Sequence, residues 1–182
     1  MKNAGRPQAG EFASDYYQRY IDLATEDDIV AALDAQSHET ATLLGGISEQ
    51  QAAYRYEPDK WSVKQIVGHV IDGERVFAYR ALCIARGDTT PLPGFDQDPY
   101  VANAASDDRT IGDLAEEFAT VRKSNVMMLR ALPEEAWSRV GTASDNQISV
   151  RALAFILLGH ERHHVRVLRE RYLGTSTSPR TA

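Results

Sequence analysis

The residues best suited to chemistry lie in one stretch near the C-terminus, GHERHHVRVLRERY, which holds His160, His163 and His164. Residues four apart on a helix share a face, about 5–6 Å between their Cβ atoms. His160 and His164 can therefore hold one metal ion between them. Leu153, Ile156, Leu157, Val167 and Leu168 lie on the same face, which turns both imidazoles inward. His163 is rotated by about 100° from His164 and reads as a flanking residue. A third ligand has to come from another element, and His69 is the obvious donor. It follows Ile66 by three residues and precedes Val70 and Phe77 on an apolar stripe. His69 stands roughly 10 Å from the start of its helix, and the His160/His164 pair roughly 12–18 Å from the end of theirs. Antiparallel packing of the two helices brings the three rings to similar heights. The fifth histidine, His38, lies in the polar stretch AQSHET and is expected to face solvent.

Three histidines leave one position of a catalytic metal open for water or substrate. An ion held this way lowers the pKa of bound water to about 7, and it deprotonates a coordinated thiol outright. Imidazole accepts Zn, Ni, Cu or Fe; a divalent ion, Zn or Ni, is the expected occupant. A single histidine on an apolar face is ordinarily a core residue, but three buried imidazoles without an ion would each need a partner. Asp72, three residues after His69, is the candidate catalytic base, or the acceptor for a ligand's second N–H. The competing role is an i, i+3 ion pair with Arg75. Glu161 is expected to be a solvated helix-face charge. His160, Glu161 and His164 also spell HExxH, the two-ligand-and-base pattern of zinc proteases. Such enzymes need a third ligand, usually downstream, and no histidine follows His164, so the protease reading is the weaker one.

These side chains need helices to hold them, and four long segments carry helical periodicity. The first starts near Thr25 and stops at Gly45–Gly46, followed by a short turn at Ser48–Gln51. The second begins at the capping box Ser62/Gln65 and ends before Gly87. The third runs from near Thr110 to Pro133. The fourth takes Ser149 as its N-cap and closes at Gly174. No segment alternates strongly enough to be a strand. The long connection 88–108 is too proline-rich for a helix, and connections of this length are often functional. Its Phe95, Asp96, Asp98 and Tyr100 are candidates to cover the open metal position, with Tyr100 as the contact to a bound cofactor. Trp61 and Trp137 are expected to anchor the core, and Cys83 to be a small packing residue. Arg162, Arg166, Arg169 and Arg171 are expected to be mostly a solvated face. The fold class is all-α: a four-helix bundle with a long ordered connection between helices 2 and 3.

Length and composition agree. The chain has 182 residues, 43% hydrophobic and 25% charged, enough for one domain with a core that needs no disulfides. Residues 1–11 are expected to be flexible, 12–173 to form the domain, and 174–182 to be a flexible tail. One cysteine excludes an internal disulfide framework. No apolar run approaches the roughly 20 residues of a membrane helix, and the N-terminus has no signal-peptide core, so the cytoplasm is the expected location. The net charge is −6 with dispersed Lys and Arg, which argues against a nucleic-acid partner.

The segments KWSVKQIVGHVIDGERVFAYRAL (60–82), PLPGFDQDPYV (91–101), LPEEAW (132–137) and GHERHHVRVLRERY (159–172) resemble, in their order and spacing, the DinB/YfiT-like family of helical-bundle metalloproteins. The resemblance covers nearly the whole chain beyond about residue 25. The family's metal triad, one histidine on the second helix and a His-x-x-x-His pair on the fourth, carries over to His69, His160 and His164. Relatives include S-transferases that use bacillithiol or mycothiol, a mycothiol-dependent maleylpyruvate isomerase, and proteins assigned as metal-dependent hydrolases. The resemblance implies a DinB-like bundle, a low-molecular-weight thiol as co-substrate beside a small-molecule substrate, and a homodimer. The leading expectation is a metal-dependent thiol S-transferase. The alternatives are a hydrolase using metal-bound hydroxide and a non-catalytic, metal-stabilised binding or stress-response module.

Overall fold

The computed structural model describes residues 5–13 and 15–174. Four long helices form the bundle: α2 (Ile29–Gly45), α4 (Val63–Ala85), α6 (Ile111–Arg130) and α7 (Val150–Val167). Their starts follow local hydrogen bonding. Ser62 and Gln65 form the reciprocal capping box of α4. Thr110 accepts from the Asp113 N–H, and Ser149 from the Ala152 N–H, satisfying N–H groups that have no intrahelical partner. The first bundle helix starts later than the sequence suggests: Asp28 is its N-cap, accepting from the Ala31 N–H. Gly87, just beyond α4, adopts φ +83°, the left-handed geometry that glycine enters freely at a helix end.

In the bundle α4 packs against α7 and α6, and α2 against α6 and α7. One apolar cluster runs through Phe77, Ile84, Leu129, Trp137, Leu153 and Phe155. A second joins Ile66, Val70, Leu114 and Phe118. Cys83 is half-buried against the first cluster and Trp61 against the second.

Three elements depart from the sequence reading. The loop 140–148 contains a hairpin, β1 (Val140–Ala143) and β2 (Asn146–Ser149), paired antiparallel with Val140 opposite Ser149. Its two turn residues, Ser144 and Asp145, have φ +51° and +61°, as a two-residue hairpin turn requires. Strands of four residues are too short to display an alternating pattern. The connection 88–108 contains α5 (Gln97–Asn103). Its Pro99 falls in the first turn, where a missing N–H breaks no bond, and Asp96 caps it. Finally, α1 (Asp15–Ile21) lies across α7. Gly159 of α7 faces the Tyr20 carbonyl so closely that a Cβ there would overlap it. The short helices α3 (Glu49–Ala52) and two 3-10 turns complete the connections, and a π-helical turn, Leu168–Tyr172, extends α7.

The start of the chain, as far as it is described, is fastened rather than free-standing. Arg6 donates to the Ala24 carbonyl, Ser149 Oγ donates to Glu11 at 2.8 Å, and Phe12 bridges to Ile148. The tail 175–182 lies outside the described residues. No helix among those described is long and apolar enough to cross a membrane.

Candidate metal centre

Helices α4 and α7 bring His69, His160 and His164 together. Nitrogens of all three rings lie within 4.8 Å of one another, and His69 Nε2 is 3.1 Å from His160 Nε2. The ring centroids are 4.6–5.0 Å apart. Nitrogens on a tetrahedral ion stand about 3.3 Å apart, given metal–nitrogen bonds of about 2.0–2.1 Å. The cluster therefore needs only small side-chain adjustments to close on an ion. His69 Nδ1 is buried and has no hydrogen-bond partner, an unmet group beside two other imidazoles. The donor set, three imidazoles without a carboxylate, suits Zn, Ni, Cu or Fe rather than Mg or Ca. These residues fit a transition-metal ion.

The surroundings keep the rings neutral. His69 and His160 are buried and His164 is half-buried. Desolvation, followed by the neighbouring His163, pulls His69 down to about 4. Desolvation, with the other imidazoles adding to it, holds His160 and His164 well below the usual histidine range. Neutral imidazole is the ligating form. Packing fixes the rings as well. Trp61 lies 5.0 Å from His69, while Phe77 and Tyr20 stand edge-on to His160 at 5.5 and 5.4 Å.

Behind His160 the bundle interior holds an ionic network. Arg122, fully buried, forms a fork with Glu74: Nε to Oε2 at 3.0 Å and Nη2 to Oε1 at 2.6 Å. The same Nη2 reaches Glu161 Oε2 at 2.6 Å. Arg122 Nη1 donates to the Leu33 carbonyl, Asn125 to Glu74, and Gln36 to Glu161. Each of the four bundle helices contributes to this network. Glu161 is thus no solvated surface charge, a correction to the sequence reading: α7 turns it toward α6, where Arg122 awaits it. Arg162 likewise departs from a solvated face, donating to Gln36 Oε1 at 2.6 Å and forking onto Glu26.

The exposed side of the cluster opens into a cleft of about 410 Å³ at His163 and His164. Trp61, Tyr56 and Tyr172 form its aromatic wall, and Lys60, Gln97 and Asp98 its polar side. The long connection therefore reaches the cleft through the start of α5. Asp98 lines it, whereas the candidate Tyr100 is exposed and stands edge-on to Phe95 at 5.2 Å. Neither Tyr100 nor Phe95 is among the cleft-lining residues. Asp72 is not brought to the histidines either. Three residues beyond His69 it is turned about 60° away, toward α6. Desolvation raises its carboxyl, while Arg75 lowers it and Glu117 raises it. Those two groups are themselves paired at 2.5 Å. His163, set aside as a flanking residue, does line the cleft, and desolvation lowers its pKa. Its position next to His164 is the only signal the sequence offers for it. His38 is exposed, as expected.

The sequence model of the DinB superfamily matches residues 32–168, a span that contains all three clustered histidines. Comparison with curated proteins finds no match. Among solved structures, the fold is similar to that of YfiT from Bacillus subtilis, described as a probable metal-dependent hydrolase with an unusual four-helix bundle topology. The TM-score is 0.67 at 18% identity, covering 93% of this chain and 94% of YfiT.

Proposed function

The chain belongs to the DinB superfamily, and on that premise we propose that it is a metal-dependent enzyme whose three-histidine site activates a small nucleophile. The observation that carries this reading is the cluster of His69, His160 and His164, its rings kept neutral by desolvation, with His164 bordering an open cleft. A divalent ion there supplies Lewis acidity, lowering the pKa of a thiol or water that reaches it.

The nucleophile best suited to the site is a low-molecular-weight thiol, making the reaction an S-transfer to an electrophilic small molecule. The chain's own residues support this in three ways. The cleft of about 410 Å³ has room for a second reactant beside the histidines. Trp61, Tyr56 and Tyr172 offer apolar surface to an electrophile's carbon body, and Lys60 and Gln97 offer donors to a polar co-substrate. The cluster contains no carboxylate base; a thiol held by the ion would be acidic enough to give its proton to bulk water, and its sulfur–carbon bond would form as the electrophile's leaving group departs as an anion. Hydrolysis is the second reading. It is favoured by His163, a half-buried imidazole on the cleft that can accept or return a proton, and by the description of YfiT.

Elemental mass spectrometry on untagged protein, purified without a nickel column, tests the premise beside His160→Ala. The expected result is about one ion per chain, lost in the variant. Conjugation of bacillithiol, mycothiol or glutathione to a model electrophile, with and without metal, then tests S-transfer. Metal-dependent ester or amide turnover without added thiol would replace it by hydrolysis. No ion in either protein after incubation with Zn or Ni would overturn both.

A further inference from the structure

Arg80 lies on the same face of α4 as His69, Gly73 and Phe77, about 16 Å further along the axis. It is 3% exposed, and Arg122 is the other arginine buried among the described residues. The two are treated in opposite ways. Arg122 is held by two carboxylates. Arg80 has no carboxylate partner among the described residues; its Nη2 donates to the Pro93 carbonyl at 2.8 Å and to Ser144 Oγ at 3.0 Å. The Tyr17 hydroxyl is a further hydrogen-bond partner, and Tyr16 acts on the guanidinium electrostatically. A buried charge without a counter-charge is costly, and these three neutral partners leave part of the guanidinium's five N–H donors for a ligand.

Those donors border a cavity of about 260 Å³, shared with Tyr16, Tyr17, Phe77, Phe95, Ser144 and Asn146. Four elements build it. Helix α1 supplies the tyrosines, α4 the arginine and Phe77, the connection Phe95, and the hairpin Ser144 and Asn146. The left-handed Ser144 and Asp145 hold the turn in this place. Leu92 on the connection exchanges hydrogen bonds with Thr142 and Ser144. Phe77 and Phe95 rings lie 5.8 and 6.0 Å from the guanidinium carbon. The site combines one cation, hydroxyl and amide groups, and aromatic walls.

We propose that this cavity is a binding site for a small organic carboxylate carried on an apolar body, with Arg80 as its anion-binding residue. A planar guanidinium matches a carboxylate in two-point geometry. One positive charge balances a monoanion, whereas a phosphate dianion would leave excess charge buried. The aromatic rings suit the apolar body. Phe77 stands between this cavity and His160, so the site is separate from the histidine cleft.

Benzoate is the probe, titrated into the full chain by calorimetry and by NMR of the arginine Nε–Hε groups. Saturable binding of one benzoate per chain is expected, with the Arg80 resonance shifting. Benzamide, which keeps the ring and loses the charge, should bind at least about tenfold more weakly, and so should benzoate to Arg80→Gln. Asn146→Phe fills the cavity from the hairpin with Arg80 intact, and should abolish binding even where Arg80→Gln fails to fold. Chelator-treated protein should bind benzoate as the untreated protein does, which separates this site from carboxylate captured by a metal. Benzamide binding as tightly as benzoate, undiminished binding by folded Arg80→Gln, or tighter binding of phenyl phosphate would overturn the proposal. Absence of saturable benzoate binding would reduce Arg80 to a fastener between connection and hairpin.

Discussion

Gly73 of α4 lies flat against the ring of His160 on α7: a Cβ placed on Gly73 would sit 2.8 Å from His160 Cε1 and 3.1 Å from its Nδ1. The absence of a side chain is what lets this imidazole enter the space between the helices and meet His69. Because that ring is boxed by Phe77 and Tyr20, it has little freedom to retreat.

Gly73→Ala is therefore expected to separate helix stability from metal binding. Alanine is favoured over glycine in a helix interior by about 1 kcal/mol, yet here it displaces a ligand. The far-ultraviolet dichroism should remain helical, while metal affinity falls by at least about tenfold, as it does when groups orienting a ligand are lost. Competition with a chromophoric chelator measures it. Affinity equal to the parent's would show that His160 is not needed where the structure puts it.

The Arg122 network makes a second prediction. Removing the guanidinium in Arg122→Met leaves Glu74 and Glu161 buried without their cation, which costs about 3–5 kcal/mol. Chemical denaturation should show a loss of that size. Replacing all three groups together, Arg122→Met with Glu74→Leu and Glu161→Met, should recover most of it, since no buried charge is then left unpaired. A single variant within about 1 kcal/mol of the parent would contradict the network's burial.

How much of this was legible in the sequence depended on whether a residue obeyed its pattern. His69, His160 and His164 stand on apolar stripes at helical spacing, so their sequence positions alone align α4 and α7. The caps Ser62, Thr110 and Ser149 announced three of the four bundle helices. Arg122 and Asn125 were missed although they occupy inward positions between Phe118 and Leu129. A charged residue on a stripe reads as a break in it unless its partners are known, and those partners, Glu74 and Glu161, lie on other helices. Asp72 shows a related effect: three residues along a helix is near in sequence, but the turn of about 60° leaves its carboxyl outside the histidine cluster. The hairpin and α5 were too short to be periodic.

Acid should destabilise the metal-free protein over a defined range. Desolvation first, then neighbouring imidazoles, sets His69 at about 4 and the other two well below 6.5. In the unfolded chain the same groups titrate near 6.5. Between pH 6.5 and about 4 the unfolded chain binds more protons than the folded one, so stability rises with pH there and falls on acidification. The urea midpoint of chelator-treated protein should drop steadily from pH 6.5 downward, and the His69 ring-proton shift should titrate near pH 4. A flat midpoint between pH 6.5 and 4.5 would mean the imidazoles are not buried neutral.

The two tryptophans offer a direct readout of metal occupancy, because the fold places them in different surroundings. Trp61 lies 5.0 Å from the His69 ring and lines the cleft, whereas Trp137 is buried in the other apolar cluster among Ile84, Leu129 and Leu153. A paramagnetic ion such as Cu or Ni quenches an indole in near contact far more strongly than one deep in a separate cluster. Titration should therefore extinguish part of the fluorescence and saturate at one equivalent. Trp61→Phe should remove the responsive part, Trp137→Phe should preserve it, and His69→Ala should abolish the saturation with both indoles present. Quenching that survives in Trp61→Phe would place the ion elsewhere, and a response in His69→Ala that still saturates at one equivalent would take His69 out of the ligand set.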